Sequence, residues 1–214
     1  NISFDDQFAK HFTEAKHLSK VSLSNIKFLY KNYPIPIKIE SSDFEIENNR
    51  IQVHNSRINI KDSDLAFDGK LTNILRYIML EDHIKFDING NLKSQTLNLK
   101  DLIANENQDN STLESILPEY MTLKINTTIR SLSYNNIYPN NVKGELNYSN
   151  KSLTAKKLNM NIFSGKMILD GKFYQNTLDE YKATSSIKLE KVNINQVFSS
   201  FNNFGQDFIQ NKHI

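Results

Sequence analysis

The sequence predicts a mainly β protein, built as one strongly curved antiparallel sheet with a few short helices. Three observations carry this prediction. Apolar residues fall at every second position through most of the chain, so that one face of each strand meets water and the other avoids it. Polar turns such as "ENNR", "YNN", "YSNKS" and "YQNTLDE" separate these runs in the manner of antiparallel hairpins. Four of the six glycines sit in one slot of a recurring pentapeptide: "FDGKL" (67–71), "INGNL" (88–92), "VKGEL" (142–146) and "LDGKF" (169–173).

Taken in order, strand patterns cover "VSLSNIKFLY" (21–30), "IPIKIE" (35–40), "FEIEN" (44–48), "IQVHN" (51–55), "RINIKD" (57–62) and "DLAFDGKL" (64–71). They resume at "HIKFDINGNL" (83–92), "TLNLK" (96–100), "MTLKINTTIR" (121–130), "NVKGELNY" (141–148), "KKLNMNIF" (156–163), "GKMILDGKF" (165–173) and "YKATSSIKLE" (181–190). Helices are few. "DDQFAKHFTEAKH" (5–17) carries acidic residues in its first turn, and residues 1–20 are read as a helical lead-in. "LTNILRYIML" (71–80) fits helix and strand equally. "NSTLESILPEY" (110–120) opens on cap-type residues and is stopped by Pro118. Near the C-terminus, "NINQVFSSFNNFGQDFIQ" (193–210) aligns Val197, Phe201, Phe204 and Phe208 at helical spacing, a stripe suited to packing on the sheet or to a lipid or partner. "LNLKDLI" (97–103) and "VNINQVF" (192–198) share one pattern, so the chain reads as repeated strand modules of uneven spacing.

The repeated glycine falls on the apolar face in every copy. Phe67, Gly69 and Leu71 share a face, as do Ile88, Gly90 and Leu92, then Val142, Gly144 and Leu146, then Leu169, Gly171 and Phe173. A sheet curling toward that face crowds its inner side chains, and a glycine relieves the crowding. Unrelated bulges or strand-end glycines are the alternative explanation. About a dozen strands with two or three inward apolar residues each expose more apolar area than soluble proteins tolerate. Closure into a barrel, cover by a second sheet or by helices, or a hydrophobic ligand would each resolve this.

Composition narrows the function classes. Hydrophobic residues make up 38%, below the usual ~45–50%, yet 13 Phe and 9 Tyr rule out a disordered composition. With 26 basic against 24 acidic residues no nucleic-acid surface is expected. The absence of cysteine excludes disulfides, thiolate metal sites and a cysteine nucleophile. His11, His17, His54, His83 and His213 are scattered, and no metal or other cofactor is expected. "DSDLAFDG" (62–69) misplaces the oxygen ligands and the glycine of a calcium loop and reads as solvated carboxylates. Asn110, Asn126 and Asn150 begin sequons of the kind an Asn-rich chain produces by chance. No phosphate loop, nucleophile elbow or carboxylate pair stands out, so no enzyme is expected. No apolar run reaches the ~20 residues that span a bilayer. The chain begins at Asn, as expected of one continuous segment (1–214) of a longer protein.

"LTAKKLNMNIFSGKMILDGKFYQ" (153–175) and "SSIKLEKVNINQVFSSFNNFGQDFIQNKHI" (185–214) resemble the C-terminal region of AsmA-like proteins, particularly those of Bacteroidota. The likeness is specific over 142–214 and generic upstream. Ser164–Gly165 replaces the paired glycines frequent in that family, and the further glycine-bearing strand that follows there does not appear. The resemblance implies a taco-like β-groove that conducts phospholipid or other acyl chains in the periplasm. It also implies an inner-membrane anchor in parts of the parent chain not present here, envelope protein partners, and a role in outer-membrane assembly and lipid homeostasis. The groove candidates are Phe67, Leu71, Ile88, Leu92, Val142, Leu146, Leu169 and Phe173, with Gly69, Gly90, Gly144 and Gly171 setting curvature. A non-catalytic structural or interaction domain with a closed core, and a lipopolysaccharide-bridge type of carrier, are the other readings.

Overall fold

The computed structural model of the 214-residue chain describes residues 18–30, 33–80, 84–102, 118–177 and 180–205. Ten strands form one sheet in chain order: β1 (Leu18–Tyr30), β2 (Tyr33–Glu47), β3 (Arg50–Ile60), β4 (Ser63–Thr72), β5 (Phe86–Asn98), β6 (Met121–Ser133), β7 (Asn140–Ser149), β8 (Ser152–Ile162), β9 (Gly165–Thr177) and β10 (Glu180–Glu190). Among the described residues three helices accompany them: α1 (Ile74–Leu80) before β5, α2 (Leu99–Leu102) after it, and α3 (Ile194–Ser200) after β10, with a 3-10 turn at Asn202–Gly205. The sheet is open, with β1 and β10 at its edges. It forms neither a barrel nor a two-sheet sandwich among the described residues.

Thirteen sequence runs become ten strands because the alternation changes phase inside strands without breaking the pairing. Asn55, Asn141 and Lys157 take left-handed φ near +50° at shifts in register, each adding one residue to its strand. Runs 51–55 and 57–62 thereby fuse into β3, and 35–40 and 44–48 into β2. Asn supplies nine of the fifteen non-glycine residues with positive φ, whereas Gly205 is the one such glycine among the described residues. The left-handed positions that usually call for glycine are held by asparagine, which leaves glycine for strand interiors.

The helical lead-in expected over residues 1–20 is corrected at its end. Leu18, Ser19 and Lys20 pair with Glu47, Ile46 and Glu45, and Lys20 Nζ lies 2.8 Å from Glu45, so alternation continues into β1. The rest of that helix, and 110–117 of "NSTLESILPEY", lie outside the described residues. The ambiguous "LTNILRYIML" divides. Asn73, at φ 60°, ends the strand, and its carbonyl accepts the N–H of Tyr77 to open α1. At α3 the Asn193 side chain accepts the Gln196 N–H as an N-cap, while the Asn193 N–H donates to Phe163 O at 2.7 Å. Phe201 meets Phe163 edge-on at 6.3 Å. Phe208 of the proposed stripe lies outside the described residues.

Pairing is antiparallel at every joint except β5 with β6, which run parallel from Phe86 opposite Met121 to Asn98 opposite Ser133. This joint divides the sheet into two five-stranded halves. The halves repeat in detail. Ile51, Val53, Ser56, Ile58 and Ile60 of β3 face Leu71, Gly69, Phe67, Leu65 and Ser63 of β4. Leu153, Ala155, Leu158, Met160 and Ile162 of β8 face Phe173, Gly171, Leu169, Met167 and Gly165 of β9, the same register 102 residues on (69 to 171). Both copies bulge at one place, and both bulges are held alike. Asp68 accepts the Asn55 N–H at 3.0 Å, and Asp170 accepts the Lys157 N–H at 2.9 Å. The aspartate of each "DG" is therefore a clamp on the strand before it. The next strands correspond 95 residues apart (90 to 185), and the difference of seven matches α1, which has seven residues and no counterpart between β9 and β10.

Asp64 performs a similar task where β5 changes phase. Its carboxylate accepts the N–H groups of Gln95 and Thr96, at 3.0 and 2.6 Å. Asp64 and Asp68 of the apparent calcium loop are thus backbone clamps, not merely solvated carboxylates. Asp64→Ala is expected to lower stability by about 2 kcal/mol, since charge-assisted bonds to backbone are lost together. A urea midpoint unchanged from the parent protein would show that the clamp contributes nothing.

Two packed groups lie on the inner face. Phe86, Met121 and Tyr148 gather with Ile74 and Tyr77 of α1, the Tyr77 and Phe86 rings 4.4 Å apart. Leu97, Ile129, Val142, Met160 and Ile162 gather with Leu99 and Leu102 of α2. Between them Ile125 and Thr127 are also buried. The helices among the described residues have seven, four and seven residues, too few to cover such a face.

Candidate apolar groove

Residues directly opposite each other in a ladder share a face, so the registers trace rows across the sheet. One row reads Val53, Gly69, Gly90, Ile125, Leu146, Ala155, Gly171 and Ser185, from β3 to β10. Three of the four repeated glycines and Ala155 therefore fall in one row across the strands, a line of small residues broken by Ile125 and Leu146. One flank carries Phe67, Leu92, Thr127 and Gly144, then Leu169 and Ile187 beyond the β8 bulge. The other carries Leu71, Ile88, Leu123, Tyr148, Leu153 and Phe173. The eight strands from β3 to β10 each cross this line, which gives it roughly 35 Å of length at the usual spacing.

The eight groove candidates all lie on this face. Phe67, Leu92 and Leu169 stand on one flank, and Leu71, Ile88 and Phe173 on the other. Leu146 is within the line, and Val142 lies one row further out, buried opposite Ile129. Ile125, Thr127, Leu123, Leu153 and Ile187 share the face without belonging to any glycine pentapeptide. Their signal in the sequence is alternation alone, in "MTLKINTTIR", "LTAKKLNMNIF" and "YKATSSIKLE".

Side chains fill the line unevenly. The Phe67 ring lies over Gly69 and Gly90, 2.6 and 2.8 Å from where their β-carbons would stand. Leu158 sits against Gly144 in the same way, at 2.7 Å. Gly171 is different, with its nearest neighbours at 3.6 and 3.8 Å, ordinary contact distances. Exposure follows the same gradient. Val53 and Ile125 are 3% and 5% exposed, whereas Ile187 and Leu189 on β10 are 54% and 43% exposed. On β1 the inward Val21, Ile26 and Phe28 are exposed as well. The apolar face is closed in the middle and bare along both flanks of the sheet.

Hydroxyls interrupt this face, and among the described residues three on buried residues are unpaired. Ser42, Ser94 and Thr127 point inward, are buried, and meet no hydrogen-bond partner. A buried hydroxyl left unpaired costs about 1–3 kcal/mol. Thr127→Val keeps the shape and removes the hydroxyl, so it is expected to raise Tm by roughly 2–4 °C. A fall in Tm would show that the hydroxyl is satisfied in solution.

The outer face carries the charges. Lys20 hydrogen-bonds Glu45 and holds its carboxyl below the usual range, and Lys188 does the same to Glu190. The Asn147 amide is the main cause of the lowered Glu145. A cavity of about 700 Å³ opens beside the β8–β9 turn, between Tyr138, Phe163, Lys166 and Gln196, and includes none of the eight groove candidates. Among the described residues no group of His, Asp and Glu is placed to hold a metal, and His54 is the one histidine described. No helix among them is long and apolar enough to cross a membrane. Compared with protein-family models, curated proteins and solved structures, the chain matches none.

Proposed function

We propose that this chain is a non-enzymatic lipid-binding segment of the AsmA-like kind. It carries the acyl chains of phospholipid-like molecules along the line of small residues on its apolar face. The observation that carries this reading is the line itself, which crosses the strands and is flanked by Leu, Ile and Phe. Acyl chains laid there are held by burial at ~0.8 kcal/mol per CH2. Because that attraction has no direction, a chain is free to slide while its head group stays in water. Periplasmic location and a role in outer-membrane lipid supply follow from the family resemblance and belong to the same proposal. Native mass spectrometry of protein prepared without detergent tests it. Bound phospholipid or fatty acid is expected, and lipid-free protein that also takes up no fluorescent fatty acid would refute it.

The placement of Phe67 over Gly69 and Gly90, and of Leu158 against Gly144, favours a second reading. In it the face is filled by the protein's own side chains and the sheet serves as a structural or docking unit. A lipopolysaccharide-type cargo is a variant of the first reading, separated from it by the mass of the lipid recovered.

A further inference from the structure

The repeat of the two halves assigns a partner to the free edge of β10. In the first half, β5 is the last strand, and its far edge takes β6 in parallel. In the second half, β10 stands where β5 stands. Ser185, Ile187 and Ala183 face Gly171, Leu169 and Phe173 as Gly90, Leu92 and Ile88 face Gly69, Phe67 and Leu71. The far edge of β10 has no strand partner among the described residues, and neither has the far edge of β1, which opens the first half as β6 opens the second. We propose that a second copy of this chain seats its β1 on the β10 edge in parallel, repeating the β5–β6 joint between molecules.

The register follows from the repeat. β2 and β3 pair as β7 and β8 do, with Ile46 opposite Ile51 where Tyr148 is opposite Leu153. Ser19 is opposite Ile46 where Leu123 is opposite Tyr148. Carried over to β10, Val21 of the second copy stands beside Ser185, and Leu23 beside Ile187. The row then continues from one molecule into the next, through Val21, Phe44 and Val53 to Gly69. Ile187 and Leu189 on β10, and Val21, Ile26 and Phe28 on β1, are the large inward residues left exposed at the two edges, and this joint would cover those within its register. On the outer face Ser22 meets Ser186, the counterparts of Asn126 and Asn91, whose side chains bond across the β5–β6 joint at 3.2 Å. A head-to-tail joint of this kind uses two different surfaces, so it builds open chains of molecules, or a ring where the rotation closes.

The absence of native cysteine makes the test clean. Ser22→Cys and Ser186→Cys proteins are mixed and oxidised gently. The mixed disulfide is expected to form about tenfold faster or more than either homodimer, because paired strands present the two thiols within bonding reach. The chain carrying both substitutions is expected to give a ladder of linked oligomers, and the unmodified chain a mass that rises with concentration in sedimentation. Ile187→Asp is expected to abolish that rise while leaving the circular dichroism spectrum unchanged. A chain that stays monomeric at millimolar concentration would overturn the proposal, as would homodimers forming as fast as the mixed dimer. None of these readouts involves lipid, so they stand or fall apart from the lipid-binding reading.

Discussion

Alanine at Gly69 or at Gly90 is expected to destabilise the protein by about 3 kcal/mol, while alanine at Gly171 is expected to be neutral or to stabilise it. The three glycines occupy one row and similar pentapeptides, so the sequence alone assigns them the same effect. Their surroundings separate them. A β-carbon on Gly69 would press on Asn89 O and on the Gly90 α-carbon, and one on Gly90 would press on Asp68 O and the Gly69 α-carbon. These are backbone atoms of paired strands and cannot move without breaking the ladder. At Gly171 the same carbon meets only ordinary contacts, and Ala is better than Gly in a strand by roughly 0.5–1 kcal/mol. Urea midpoints of the three variants decide the matter. Equal losses at all three positions would mean that the second hairpin packs as tightly as the first.

Tyr148→Ala is expected to cost about 3–5 kcal/mol, the range for deleting a buried aromatic ring. Tyr148 is 2% exposed, the largest side chain buried to that degree among the described residues. It packs with Phe86 and Met121 beneath α1, with Leu123 and Leu153 beside it. Its loss therefore loosens β7, the parallel joint and the helix together. Tyr148→Phe keeps the ring and is expected to cost about 1 kcal/mol, the contribution of a single hydroxyl. A Tyr148→Ala protein with an unchanged midpoint would show that this group is not a core.

Much of the fold is legible in the sequence because alternation is a local signal. Every one of the ten strands has a run of alternating apolar residues behind it, and the pentapeptides mark the inner face correctly. The bulges hid the strand boundaries. At Asn55 the alternation slips by one residue, which reads as a break between two runs, and at Lys157 the same slip makes the run begin at 156, although an aspartate thirteen residues later keeps each strand whole. The parallel joint was hidden for another reason. Antiparallel neighbours announce themselves through short turns, whereas the partner of β5 lies beyond a long connection that carries no pairing signal. The line of small residues is likewise a property of register. Gly69 and Gly90 are neighbours because α1 returns the chain at one particular height, and nothing within either pentapeptide specifies that. The 102-residue spacing of "FDGKL" and "LDGKF", set beside the 95-residue spacing of "LNLKDLI" and "VNINQVF", was the available clue to two matching halves.

The exposure gradient connects the fold to its proposed use. The inner residues of the middle strands are buried, so an acyl chain would gain most at β10 and β1, where apolar side chains remain in water, and at the half-buried β9 beside β10. Photo-crosslinking with a diazirine-bearing fatty acid, with the labelled residues located by mass spectrometry, tests that placement most directly. Label is expected on the inward residues Leu169, Phe173, Ile187 and Leu189 and none on the outward Lys172 and Lys188. Label spread evenly over both faces, or none at all, would contradict it.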